Sequence, residues 1–293
     1  MSVPSGAGPV VLRAILTSEL QRLRQERGAT QDQVANALDW STSKLIRIEG
    51  GAVGVSITDL HALLRFYGLG DGASEVAELT EIARGARKRG WWDLYKNDVP
   101  QDYLRYIGYE AGAATIRSVQ PLVVPGLLQT EDYANAMTIE FVQSPPDRDI
   151  VVEVRIRRQE ELFSRADQPQ LHMVIDEAVL RRRVGGQRDP GIMPRQLSLL
   201  LEMLTRPNIT IEVIPFSQGA HFGVLGGFTI LEFADPRLTD VLYLERLTLS
   251  ALPGADRDAR IADYRAGYEN LRKLVLPAEE TAPFIEDVIA SMA

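Results

Sequence analysis

The chain has 293 residues, 45% of them hydrophobic and 25% charged, which fits two globular domains of ordinary size with a sizeable core. No run approaches 18 consecutive apolar residues, and the first twenty lack a basic region followed by an apolar block, so neither a membrane span nor a secretory leader is expected and the chain reads as cytoplasmic. The absence of Cys removes disulfides, thiol nucleophiles and thiolate metal sites, and a net charge of −8 excludes a protein that coats DNA non-specifically.

In chain order, residues 1–9 are rich in Ser, Gly and Pro and are expected to be mobile. Residues 10–70 read as four or five short helices. Leu12, Ile15, Leu16, Leu20 and Leu23 form one apolar stripe at helical spacing, and Gly28 stops that helix. Thr30 caps a second helix carrying Val34, Ala35 and Leu38, and after the turn Asp39-Trp40-Ser41 a third helix buries Leu45 and Ile48. Gly50-Gly51 ends it, and Ser56 caps a fourth with Leu60, Leu63, Leu64 and Tyr67. Residues 71–90 form a linking segment whose helix, over 74–89, is acidic at its start and basic at its end, as the helix dipole favours.

Beyond Trp91-Trp92 the character changes, and residues 91–293 make a second domain. Helices are expected over 100–117, 131–140, 147–165, 191–205, 256–275 and 282–291. Residues 119–124 read as extended, and strands are expected at 171–175, 209–216, 228–233 and 241–244 from their β-branched and aromatic content. Helices and strands do not alternate regularly, so the expected fold is an N-terminal all-α helix-turn-helix domain followed by an α+β domain with a mostly antiparallel sheet.

Charge is informative when split. Residues 1–70 carry seven Lys/Arg and six Asp/Glu, leaving 25 against 34 on the remainder. The first domain is thus locally poised to meet an anion although the whole chain is acidic. The three His residues are far apart and in no ligand spacing, and no phosphate loop or nucleophile elbow occurs. No catalytic residue, cofactor or metal is expected.

The strongest signal is Thr30 to Gly51, TQDQVANALDWSTSKLIRIEGG: a helix, a tight turn and a second helix opening with small polar residues. That is what reading a major groove requires, with Leu45 and Ile48 pinning the second helix while polar side chains near its start meet base edges. Arg47 is the best single candidate, because Arg pairs bidentately with guanine. Ser41 also reads as a plain N-cap. Ile46 suits either a thymine methyl or a buried contact. The run Arg84, Arg87, Lys88, Arg89 reads chiefly as a solvated face or one paired with acidic groups of the second domain, with a phosphate-backbone contact as the alternative. Arg155, Arg157, Arg158 with Glu153, Glu160 and Glu161 reads as a charged helix surface. Arg181-Arg182-Arg183 reads either as surface or as an anion contact, and His221 as a turn residue or a ligand contact; Arg182 and His221 are therefore the candidate ligand or partner contacts.

Over about residues 11–69 the chain resembles the XRE/Cro and phage-repressor helix-turn-helix family. The resemblance implies a phosphate contact for Gln31, base-reading positions at Thr42, Ser43 and Arg47 with Lys44 beside them, and a structural ion pair between Arg24 and Glu49. Asp39 departs from the pattern, standing where the turn usually has Gly; Asp tolerates the left-handed conformation better than most residues. The blocks GWWDLYKNDVPQDYLRYIGYEAGA, VQPLVVPGLLQTEDYANAM, LHMVIDEAVLRRRVGG, IEVIPFSQGAHFG and FTILEF resemble a domain of unknown function that accompanies such helix-turn-helices in WhiJ-like regulators. The resemblance implies a homodimeric transcriptional regulator acting on a double-stranded DNA operator, with a signal-receiving and dimerisation domain at its C-terminal end. The alternative that the resemblance implies is an antitoxin-like protein that captures a small partner encoded by an adjacent gene and binds DNA to regulate itself.

Overall fold

The computed structural model describes residues 8–70, 72–142, 144–244 and 260–292. Contacts divide the chain into two units, residues 1–93 with 234–238, and residues 94–233 with 239–293. Of the segment 1–9 expected to be mobile, residues 1–7 lie outside the described residues, and Pro9 opens the first helix.

The N-terminal unit is all-α: α1 (Pro9–Glu26), α2 (Gln31–Ala37), α3 (Thr42–Glu49), α4 (Ile57–Phe66) and α5 (Ser74–Ala86). The α1 stripe is buried at every expected position, as are Val34, Ala35, Leu45, Leu60 and Leu63. The helix over 74–89 turns out to end at Ala86 and buries Val76, Leu79, Ile82 and Ala83. It approaches α1 so closely that a Cβ on Gly85 would stand 2.4 Å from Leu12 Cδ1, so a larger residue there would have to displace the Leu12 side chain.

The second unit is α+β. Its sheet has the order β3-β2-β1-β4-β5, built from β1 (Thr115–Gln120), β2 (Gln170–Asp176), β3 (Ile209–Ile214), β4 (Phe228–Glu232) and β5 (Val241–Leu244). The sheet is mixed: β1 pairs antiparallel with β4 and β4 with β5, whereas β1–β2 and β2–β3 are parallel. The parallel half follows from its connections, since α7 (Glu131–Phe141) and α8 (Pro145–Phe163) lie between β1 and β2, and α9 (Glu177–Arg181) and α10 (Ile192–Met203) between β2 and β3. α6 (Gln101–Glu110) precedes the sheet, and α11 (Ile261–Leu271) and α12 (Ala278–Ala290) follow it. One sheet face carries Val119, Val174, Ile214, Phe228 and Ile230 against Tyr268 and Leu271 of α11.

Several elements differ from expectation, α12 among them, which begins at Ala278 rather than at 282. The helix over 100–117 ends at Glu110, and β1 begins at Thr115, where the backbone pairs with β2 and β4. α9 was not expected; Asp176 caps it by accepting from Ala178 N at 2.7 Å. The helix over 256–275 is seen as Ile261–Leu271, and its first four positions lie outside the described residues.

Candidate functional site

The helix-turn-helix is built from chain terminators. α1, α3 and α4 each end with a glycine at positive φ, namely Gly28, Gly51 and Gly68. In each, the next residue's N–H reaches back to the carbonyl six residues inclusive before it: Ala29 to Arg24, Ala52 to Arg47, Leu69 to Leu64. This is the Schellman closure, which satisfies helix-end carbonyls and needs a left-handed residue. α2 ends in the same way, with Trp40 N donating to Ala35 O at 2.8 Å, but the left-handed residue is Asp39 at φ 56°. Asp39 is the one non-glycine residue at positive φ among the described residues. The next helix starts at once, with Ser41 Oγ accepting from Lys44 N at 3.2 Å.

α2 is launched by a capping box. Thr30 Oγ1 accepts from Gln33 N, and Gln33 Oε1 accepts from Thr30 N. Glu49 then locks α1, α2 and α3 together. Its carboxylate is 2% exposed and receives Arg24 Nε at 2.8 and 3.0 Å and Gln31 Nε2 at 2.8 Å, while Gln21 Nε2 donates to its backbone carbonyl at 2.7 Å. The hydrogen bond to Glu49 holds the Arg24 guanidinium above its ordinary pKa. The buried face of α3 is Leu45, Ile48 and Glu49.

The outward face of α3 is uneven. Thr42 Oγ1 donates to Asp32 Oδ1 at 2.7 Å, tying the start of α3 to α2. Lys44 lies 3.7 Å over the Trp40 ring and donates to Asp59 Oδ1 at 2.9 Å, so its charge is balanced locally. Ser43 and Arg47 are exposed, and no side-chain hydrogen bond or ion pair engages either among the described residues. Ile46 is 49% exposed beside them and is not a core contact of the unit. Residues 43, 46 and 47 fall at i, i+3 and i+4 and form one stripe on the helix.

Several partners of these residues escape sequence reasoning. Asp32, Asp59 and Trp40 hold Thr42 and Lys44, and only the Trp40-to-Lys44 spacing of four carried a signal, while Gln31 is engaged by Glu49.

In the second unit, His221 and Arg182 occupy different surroundings. His221 Nε2 meets Asp176 Oδ2 at 3.0 Å, with the imidazole 2% exposed and Nδ1 without a partner. The pair ties the loop before the short 3-10 turn Phe222–Leu225 to the end of β2, and its burial keeps it from outside molecules. Arg182 is exposed just after α9 and lines a cavity of about 780 Å³. Arg158, expected on a solvated helix face, is instead buried: it reaches from α8 to Glu110 of α6, donating from Nη2 to Oε1 at 2.7 Å. Among the described residues no group of three or more His, Cys, Asp or Glu stands where it would hold a metal ion, and no helix is long and apolar enough to cross a membrane.

Residues 103–287 match a family model described as Domain of unknown function (DUF5753), and residues 15–79 match one described as Helix-turn-helix domain. No curated protein and no solved structure matches the chain.

Proposed function

The chain belongs to the DUF5753 family and carries a helix-turn-helix domain ahead of that region, and from this premise we propose a sequence-specific transcriptional regulator that reads an operator with α3 in the major groove. The observation that carries the reading is the division of labour on α3. Leu45, Ile48 and Glu49 pin one face, and Ser43, Ile46 and Arg47 stand outward and unengaged on another. Arg47 is then available for bidentate pairing with guanine O6 and N7, and Ile46 for a thymine methyl. Thr42, Lys44 and Gln31 already have protein partners, so they act as positioning residues; Thr42 spends its one hydroxyl proton on Asp32, while Lys44 and Gln31 keep further N–H donors that meet phosphate. Ser41 serves as the cap that aims the helix start. The second unit receives a signal and dimerises the chain, and two-fold symmetry then sets half-sites about 34 Å apart or a multiple of it.

The test is fluorescence anisotropy on the DNA upstream of the coding sequence, over a salt series, with wild type beside Arg47→Ala. Wild type is expected to bind saturably, with log affinity falling by about 0.9 per phosphate contact for each log unit of salt. Arg47→Ala is expected to lose about 1–3 kcal/mol of discrimination while its melting stays within about 0.5 kcal/mol of wild type. Unchanged operator affinity in Arg47→Ala removes α3 as the reading helix.

A second reading, an antitoxin-like protein whose main task is to capture a small partner protein, is favoured by a separate observation. The segment after β3 exposes Phe216, Val224 and Leu225, an unusual concentration of bare apolar side chains. A product of an adjacent gene that co-purifies at fixed stoichiometry, and is lost on Leu225→Asp, supports it.

A further inference from the structure

We infer that the cavity of the second unit is a binding site for a small molecule with an anionic head and an apolar body, held by Arg155 and Arg182. The inference rests on the signal-receiving half of the proposed function. The cavity opens beside the carboxyl end of β1, at Gln120 and the segment after it, and is closed by α7, α8 and the residues after α9. At about 780 Å³ it lies within the size range of sites that enclose most of a small ligand.

Its charge is the opposite of the chain's. The protein has 40 acidic against 32 basic side chains, yet the described residues lining the cavity include three arginines and no carboxylate. One of the three is already neutralised, because Arg158 is paired with buried Glu110. The other two are not. Arg155 donates from Nη1 to the neutral Gln129 Oε1 at 2.8 Å, and Gln129 is oriented by its own donation to the Val124 carbonyl. Arg182 makes no side-chain hydrogen bond or ion pair among the described residues. Both positive charges act on a common point: burial raises the Tyr133 hydroxyl above its ordinary pKa, and Arg155 and Arg182 each pull it back. Two guanidinium groups with no carboxylate between them favour an anion, and their planar forks suit a carboxylate or phosphate.

The remaining wall is largely apolar, interrupted by Gln120, Gln129, Thr138 and three tyrosines. Met137 and Val151 line the interior, and Leu122, Phe141 and Leu225 stand exposed around the opening, Leu225 at 85%. Bare apolar groups at a mouth that also presents arginine match an amphiphile, with the head at the guanidinium groups and the hydrocarbon against Met137 and Val151.

The experiment is isothermal titration calorimetry of the full chain with decanoate and, separately, with decylammonium, which has the same length of chain and the opposite charge. Decanoate is expected to saturate a single site, and decylammonium to bind at least tenfold more weakly. Arg182→Gln is expected to weaken decanoate at least tenfold; Arg182 is exposed and makes no bond, so the variant keeps its fold, which circular dichroism checks. Arg155→Gln is expected to act in the same sense. Absence of saturable decanoate binding, equal binding of decylammonium, or wild-type affinity in Arg182→Gln each overturns the inference. No arm uses DNA, so failure here leaves the reading of α3 standing.

Discussion

The two units handle buried charge over different distances along the chain. In the helical part of the N-terminal unit, caps and helix closures join residues three to five positions apart and the Arg24–Glu49 pair links residues 25 apart, while the returning segment 234–238 adds one long-range pair, Arg237–Glu78, across 159 positions. In the second unit the assembled fold brings together residues with no neighbourhood in sequence: Arg158 of α8 and Glu110 of α6 are 48 apart, His221 and Asp176 45, and Arg117 and Glu232 on neighbouring strands 115. Apart from the Arg237–Glu78 pair, the first unit is stabilised element by element. The second depends on pairs that exist only once its helices, loops and sheet are assembled.

Removing one member of each buried pair breaks that comparison open. Glu110→Ala is expected to cost about 3–5 kcal/mol, because it leaves the Arg158 guanidinium buried without its carboxylate. Hydrogen exchange should then rise across α6, α8 and β1 together. Glu49→Ala is expected to cost about 3 kcal/mol, at the lower end, since Arg24 keeps the Ala29 carbonyl and more access to water. Its exchange should rise only in α1, α2 and α3. Equal spreading in both variants would erase the distinction drawn between the units.

A smaller effect sharpens the local side of the comparison. Asp39 adopts the left-handed conformation that glycine adopts at the three sister closures, so Asp39→Gly should raise thermal stability by about 1 kcal/mol and Asp39→Val lower it by about as much. A melting temperature unmoved by Asp39→Gly shows that the turn carries no strain.

Legibility in the sequence follows the same division. The caps Thr30, Ser41 and Ser56 were readable because each capped N–H lies three residues on, and Gly28 and Gly51 were readable because positive φ singles out glycine. The α+β class was readable from element types. The parallel half of the sheet was hidden, because register between β1 and β2 depends on how α7 and α8 pack and no local pattern encodes it. The end of α6 was hidden for a related reason: apart from Gly112 the stretch Ala111 to Ala114 suits a helix locally, and pairing overrides that preference from Ala114 onward, its N–H donating to Glu232 O on β4 and its carbonyl accepting from Gln170 N on β2. In the candidate site, Arg47 was visible as a type of residue in a known spacing. That Lys44 is taken up by Trp40 and Asp59 needed the fold. The anion-favouring cavity was hidden most deeply, since Arg155 and Arg158 sit three apart on one helix and only tertiary contacts show that one is neutralised and the other is not.

The smallest expected effect tests the non-local side by pH alone. His172 on β2 is cross-strand from Arg117, and its Nδ1 has no partner. Burial lowers its pKa, Arg117 and Arg272 lower it further, and Glu212 and Glu232 oppose them in part. In the unfolded chain the same imidazole titrates near about 6.5. As pH falls through that value the unfolded state takes up the proton first, so the unfolded chain binds more protons and stability drops until the folded imidazole also titrates. The contribution is therefore complete above the unfolded value and lost below it. The carboxylates act in a lower window. Burial would raise Glu232, but hydrogen bonds from Arg117 and Arg265 more than offset it and hold the group below its ordinary pKa, so its stabilisation fades only as pH falls below about 4.5. Between these windows the difference in unfolding free energy between wild type and His172→Gln isolates the imidazole. Wild type should lose more stability than His172→Gln from pH 7 to 5.5, by less than about 1 kcal/mol. Parallel pH profiles for the two proteins would mean that the sheet assembles around Arg117, Glu232 and Arg272 without penalising a charge on His172.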